Sequence, residues 1–172
     1  FYNANPGSYF QVSSIDSADG KLLLSSPSGK ISVFDDGQTA YGMALAVDGS
    51  GNYYGRPFQV AADGSLASTF ELNSLLLCND SGAFGPSAEF TTNLTISGFY
   101  ANNASAGSVN VSVTTKACVY GANSNDVDIV DVSGTFGAGK DLARFVINYN
   151  GTPPNDRYLV LRSLTVDNFK AP

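Results

Sequence analysis

The chain has 172 residues, 43% of them apolar and 14% charged, with a formal net charge of −6 at pH 7 and no histidine. That length suits one domain, residues 1–172, with a core of ordinary size. The acidic balance, with nine scattered Lys and Arg, excludes the basic surface that nucleic acid or an anionic membrane requires, and the lack of histidine removes Ser-His-Asp, Cys-His and histidine-ligated metal chemistry.

The dominant sequence period is two, which places alternate side chains on opposite faces of a strand. Strands are expected at 9–14, 21–25, 31–34, 40–47, 57–60 and 69–78, then at 92–96, 107–115, 116–120, 126–132, 142–148 and 158–169. Asp19-Gly20, Ser28-Gly29, Asp36-Gly37, Asp48-Gly49, Asp63-Gly64 and Asn150-Gly151 punctuate them. Such pairs favour the positive φ that tight hairpin turns need. The one stretch able to pass for a helical turn is 141–145, and the β-branched residues after it favour a strand. Many short strands with Gly-rich turns predict an all-β fold, an antiparallel two-sheet β-sandwich, with a trefoil-like barrel as the alternative. The segment from Tyr158 to Leu161 is apolar on both faces, as a strand covered on both sides would be, so the last strand should be central in its sheet.

Five Asn-x-Ser/Thr acceptors stand out: Asn79, Asn93, Asn103, Asn110 and Asn150. With 15 Asn and 31 Ser or Thr, chance alone supplies about two or three such triplets. Their placement is more informative. In 107–115 the valines alternate with Ser108, Asn110, Ser112 and Thr114, and in 92–96 Asn93 and Thr95 oppose Leu94 and Ile96. Asn93 and Asn110 are thereby expected on the solvent face of their strands, where a glycan needs them. These features point to a secreted, N-glycosylated protein. A start at Phe1 rather than Met is what removal of a signal peptide would leave, as would any other trimming. No run reaches the ~18 apolar residues that span a bilayer.

Cys78 and Cys118 are the two cysteines. In an oxidising compartment one structural disulfide is the preferred reading. Closing a loop of about 40 residues would contribute about 4 kcal/mol through loop-closure entropy.

Residues able to do chemistry are sparse. The glutamates are Glu71 and Glu89, and nothing in the sequence pairs two carboxylates as a glycosidase would. No catalytic residues, metal ligands or cofactors are assigned, and a non-enzymatic role is preferred. Asp48-Gly-Ser-Gly-Asn52 copies the start of a calcium loop, but Tyr53 stands where the loop needs Gly and Gln59 where it needs Glu, so a hairpin turn is the better reading. Asp126 and Asp128, with Asp131, could gather a cation or form a solvated strand edge. Tyr41, Tyr53, Tyr54 and Arg56 gather around the Gly-rich turn and could form a sugar-binding platform, stacking on a ring and bonding its hydroxyls; alternatively, they cap the rim of the core.

Four segments carry a resemblance: Asp19-Gly-Lys-Leu-Leu-Leu24, Phe58-Gln-Val-Ala-Ala-Asp-Gly-Ser-Leu66, Leu75-Leu-Leu-Cys78 and Lys116-Ala-Cys-Val-Tyr120. Over residues 9–120 the chain resembles the small secreted cell-wall glycoproteins of filamentous fungi, the phialide-associated and galactomannoprotein-like group. The resemblance implies a wall-associated or released structural glycoprotein with Cys78 and Cys118 as a disulfide. A carbohydrate-binding or adhesin-like module, with cell-wall polysaccharide or glycan as partner, is the alternative.

Overall fold

A computed structural model describes residues 9–12, 14–17, 19–26, 31–35, 41–45, 58–62, 68–80, 90–115, 128–150 and 158–172. Twelve strands and one helical turn occupy these residues in chain order: β1 (Tyr9–Val12), β2 (Ser14–Asp16), β3 (Leu22–Ser25), β4 (Ile31–Asp35), β5 (Tyr41–Leu45), β6 (Phe58–Ala62), β7 (Thr69–Asp80), β8 (Phe90–Phe99), β9 (Ser105–Thr115), β10 (Asp128–Asp131), α1 (Ser133–Phe136), β11 (Arg144–Tyr149) and β12 (Tyr158–Lys170).

They form two six-stranded antiparallel sheets, ordered β1-β4-β5-β12-β7-β10 and β2-β3-β6-β11-β8-β9. The chain is therefore all-β and a two-sheet sandwich rather than a trefoil-like barrel. From β5 onward it alternates between sheets except at the β8–β9 hairpin, so β5-β12-β7-β10 faces β6-β11-β8-β9, the strand order of a jelly roll. β1 and β4 extend the first sheet beyond β5, while β2 and β3 extend the second beyond β6. β12 lies between β5 and β7, inside its sheet, as its apolar first half predicts.

The core follows from the alternation. Leu24 of β3, Val60 of β6 and Phe145 of β11 pair in one row of the second sheet, all fully buried. Across the sandwich the Phe70 ring meets Phe145 edge-on, with centroids 6.2 Å apart and planes at 76°, the T-shaped geometry that aromatic quadrupoles favour. Ile147 pairs with Ile96, and Leu75, Leu77 and Leu161 close the opposite side. Each such side chain contributes about 1.5–3 kcal/mol through its removal from water.

Two local details depart from the sequence reading. The stretch 9–14 divides between sheets, with β1 pairing β4 and β2 pairing β3. The helical turn falls at Ser133–Phe136 rather than at 141–145, which leads into β11. Its cause is local: Asp131 Oδ1 accepts the Ser133 N–H at 2.9 Å and the Ser133 hydroxyl at 2.7 Å, turning the chain after β10. Buried Phe136 then packs on Gly98 of β8. In β10, Ile129 is 70% exposed while Val130 is buried. Asp126 and the expected strand at 116–120 lie outside the described residues.

Candidate functional site

The outer face of β11-β8-β9 collects hydroxyl and amide side chains because the inward positions are taken by Leu94, Ile96, Val109, Val111, Val113, Phe145 and Ile147. Register aligns the outward residues in rungs: Thr91 with Thr114, Asn93 with Ser112, Thr95 with Asn110, and Ser97 with Ser108. Three rungs are closed by side-chain hydrogen bonds. The Thr91 and Thr114 hydroxyls lie 2.8 Å apart, as do those of Ser97 and Ser108, and Thr95 Oγ1 lies 2.6 Å from Asn110 Oδ1.

Asn150 joins this face from the end of β11. Its N–H donates to the Asn93 carbonyl at 2.8 Å, and this bond carries its side chain across β8 until Oδ1 lies 2.8 Å from Thr95 Oγ1. Two of the five Asn-x-Ser/Thr asparagines thus meet at one hydroxyl, the third, Asn93, is tied in through its backbone carbonyl, and Asn93, Asn110 and Asn150 are all exposed. A threonine hydroxyl donates one proton and accepts through its lone pairs. Thr95 therefore donates its single proton to one of the two amide oxygens at a time or shares it between them.

The remaining acceptors stand apart. Asn103 is exposed at the turn joining β8 to β9, in the left-handed region at φ 64°, which asparagine tolerates better than most residues. The turn closes through Tyr100 N–H to the Ala104 carbonyl and Asn103 N–H to the Tyr100 carbonyl, both 2.9 Å. Beside it, the Arg144 guanidinium lies 3.9 Å from the centre of the Phe99 ring, a cation–π contact at the end of the polar face. Asn79 belongs to the other sheet, in β7 opposite Leu159.

Of the expected tyrosine cluster, Tyr41 opens β5 opposite Asp35; Tyr53, Tyr54 and Arg56 lie outside the described residues. Among the described residues no cysteine is free. Cys78 is fully buried and disulfide-bonded, while Cys118 lies outside the described residues, as do Glu89 and the Asp48–Asn52 turn. No group of three His, Cys, Asp or Glu suited to a metal ion occurs among the described residues, and no helix there is long and apolar enough to cross a membrane.

Glu71 has a structural assignment that the sequence left open. It is 7% exposed, its Oε1 accepts the Gly139 N–H at 2.7 Å, and its Oε2 accepts the Asn168 side-chain N–H at 2.8 Å. One carboxylate thereby ties the loop after α1 to the far end of β12, where Asn168 is left-handed at φ 48°. A glutamate between buried Phe70 and Leu72 is the only sequence sign of this role. Two exposed carboxyls sit below their usual range. The Ser133 hydroxyl and then its N–H hold Asp131 down. Asp19 is held down first by the Ser17 hydroxyl, against a small burial effect, with help from the Lys21 N–H and charge.

No protein-family model matches the chain, and no curated protein matches it. A crystal structure of a DUF4465 family protein from Bacteroides caccae ATCC 43185 is similar over 97% of this chain and 90% of that chain, at 10% identity and a TM-score of 0.49. That likeness carries no argument about family or function.

Proposed function

We propose that the protein is a secreted, N-glycosylated structural or surface component, non-enzymatic and associated with a cell wall, with much of its sugar on the outer face of β11-β8-β9. One observation carries the reading: Asn93, Asn110 and Asn150, separate in sequence, are all exposed on a single sheet face whose other side is core. The wall association and a fungal origin rest on the resemblance across residues 9–120. The same reading pairs Cys78 with Cys118, a cross-link suited to an oxidising compartment. Glu71 fits a non-enzymatic role, since both its oxygens are occupied in holding Gly139 and Asn168. The test is the intact mass of protein secreted from a eukaryotic host, measured before and after enzymatic removal of N-glycans. A fall in mass and one disulfide are expected; an unchanged mass sinks the reading.

A carbohydrate-binding or adhesin-like role is favoured by the same sheet's neutrality. Its described outward positions carry Ser, Thr, Asn and Gln together with the apolar Leu23, Ala61, Val146 and Phe99, and its charges are Asp16 and Arg144, a mixed surface suited to the faces and uncharged hydroxyls of a wall polysaccharide. Saturable binding to insoluble wall glucan or mannan, abolished by Tyr53→Ala or Tyr54→Ala, would support the module through the tyrosine platform. Binding that survives those changes but fails on Arg144→Ala would place it on this sheet instead.

A further inference from the structure

We infer that sugar carried by Asn103 is a working part of the fold: its first ring, an N-acetylglucosamine, rests against Arg144 and Phe99 and stabilises the β8–β9 hairpin, whereas sugar at Asn93 does not. This rests on the reading that the acceptors are glycosylated. The clue is Phe99. The other outward residues of β8 are Thr91, Asn93, Thr95 and Ser97, yet at its end an aromatic ring stands on the wet face, partly exposed. The pairing with β9 shifts between Gly98 and Phe99, passing from Gly107 to Ser105, and such a bulge re-aims the side chains beside it. Arg144, the cross-strand neighbour of Phe99, covers part of the ring, its guanidinium 3.9 Å from the ring centre.

The same guanidinium sets the orientation of the Asn103 amide. Arg144 Nη2 donates to Asn103 Oδ1 at 3.4 Å, and because a guanidinium has no acceptor, the amide must face it with oxygen. An N-glycan is joined through Nδ2. The substituted amide is planar and trans, which sets the first sugar carbon opposite Cβ, on the same side of the Cγ–Nδ2 bond as Oδ1. The oxygen side of this amide is the Arg144 side, so the ring begins beside the guanidinium. There its hydroxyls and acetyl carbonyl accept the remaining guanidinium N–H groups, and its C–H face covers what is still open of Phe99 and of the Arg144 stem. The turn holds Asn103 in place for this: besides the two backbone bonds that close it, Asn102 Oδ1 accepts the Ala104 N–H at 2.9 Å. Asn93 offers the contrast. Its neighbours on the face are Thr91, Thr95 and Ser112, short side chains with no apolar plane for a ring to rest on.

The test compares two versions of the chain. One keeps Asn103 as its acceptor through Asn79→Gln, Asn93→Gln, Asn110→Gln and Asn150→Gln; the other keeps Asn93, with Asn103→Gln in place of Asn93→Gln. Each is secreted from a eukaryotic host, trimmed enzymatically to a single N-acetylglucosamine, and compared in urea with the identical chain exported to a bacterial periplasm that adds no N-glycan. The ring at Asn103 should lower the unfolding constant about threefold, the size of a cation or stacking contact at an exposed site, and the ring at Asn93 should leave it unchanged. Arg144→Ala in the Asn103 version should abolish the gain. Equal gains at both acceptors, or a gain that survives Arg144→Ala, would reveal a general effect of attached sugar and overturn the inference. Sugar present on Asn103 without any gain also overturns it and leaves the glycosylation reading intact. No sugar on Asn103 overturns the inference together with that reading at this acceptor. If Arg144→Ala is not secreted, the comparison of the two acceptors decides.

Discussion

Gly98 of β8 and Phe136 of α1 are in contact so close that a methyl group has no place between them. A Cβ built on Gly98 would lie 2.8 Å from Phe136 Cε1 and 3.0 Å from Leu142 Cδ2, inside the packing distance of carbon atoms. The helical turn that closes this side of the sandwich depends on a missing side chain in the facing strand. Gly98→Ala should displace the buried Phe136 ring and destabilise the fold by about 1–3 kcal/mol, read as a lower denaturation midpoint with an unchanged slope. A neutral result would mean that α1 can shift without loss.

Phe145→Ala removes the ring that meets Phe70 across the two sheets. The site is fully buried, so lost burial and a residual cavity should together cost about 3–5 kcal/mol. Urea unfolding measures it. Phe145→Leu should cost far less, because it keeps most of the volume.

Glu71→Ala leaves the Gly139 N–H and the Asn168 side chain without their acceptor. Gly139 and Asn168 are themselves exposed, so water can replace the carboxylate and the cost is that of the lost hydrogen bonds, about 0.5–1.5 kcal/mol. The effect should be local, with faster amide exchange at Val166, Asn168 and Phe169 and at the loop around Gly139, and little change in β8 or β9. Uniform acceleration across both sheets would contradict the latch.

Acid should weaken the fold through Asp131 and Asp19. Both carboxyls bind protons less readily folded than unfolded, because Ser133 and Ser17 stabilise the charged forms. Their contribution is complete above the unfolded carboxylate value of about 3.9 and is lost as pH falls through the lower native values. Denaturation midpoints measured from about pH 5 to about pH 2 should therefore fall less steeply in an Asp131→Asn, Asp19→Asn protein than in the native one. Equal slopes would show that Ser133 and Ser17 do not hold these carboxyls in solution.

What the sequence disclosed was local alternation. The valines of 107–115 and the pair Leu94 and Ile96 were enough to place Asn93 and Asn110 on the wet face, and the structure has both exposed. The doubly apolar start of 158–169 was enough to place β12 inside its sheet. What stayed hidden depends on contacts distant in sequence. Nothing near Asn150 announces that it reaches Thr95, 55 residues away, because that contact exists only after β11 pairs with β8. The split of 9–14 was hidden for a similar reason: one alternating stretch cannot say that its two halves pair with different sheets. At α1 the period-two pattern gave no warning, since the turn is made by Asp131 and Ser133 bonding the backbone rather than by a helical repeat.

The place of β12 between β5 and β7 also bears on the order in which the molecule is made. It is the last of the described strands to be synthesised, yet the first sheet has no middle without it. Until it arrives, β5 and β7 each present a bare, hydrogen-bond-hungry margin to one another across a gap, and contacts of this sequence separation form slowly. A nascent chain halted before residue 158 should therefore be a half-closed species prone to sticking to its own kind, which makes this strand the point at which a chaperone would have to let go.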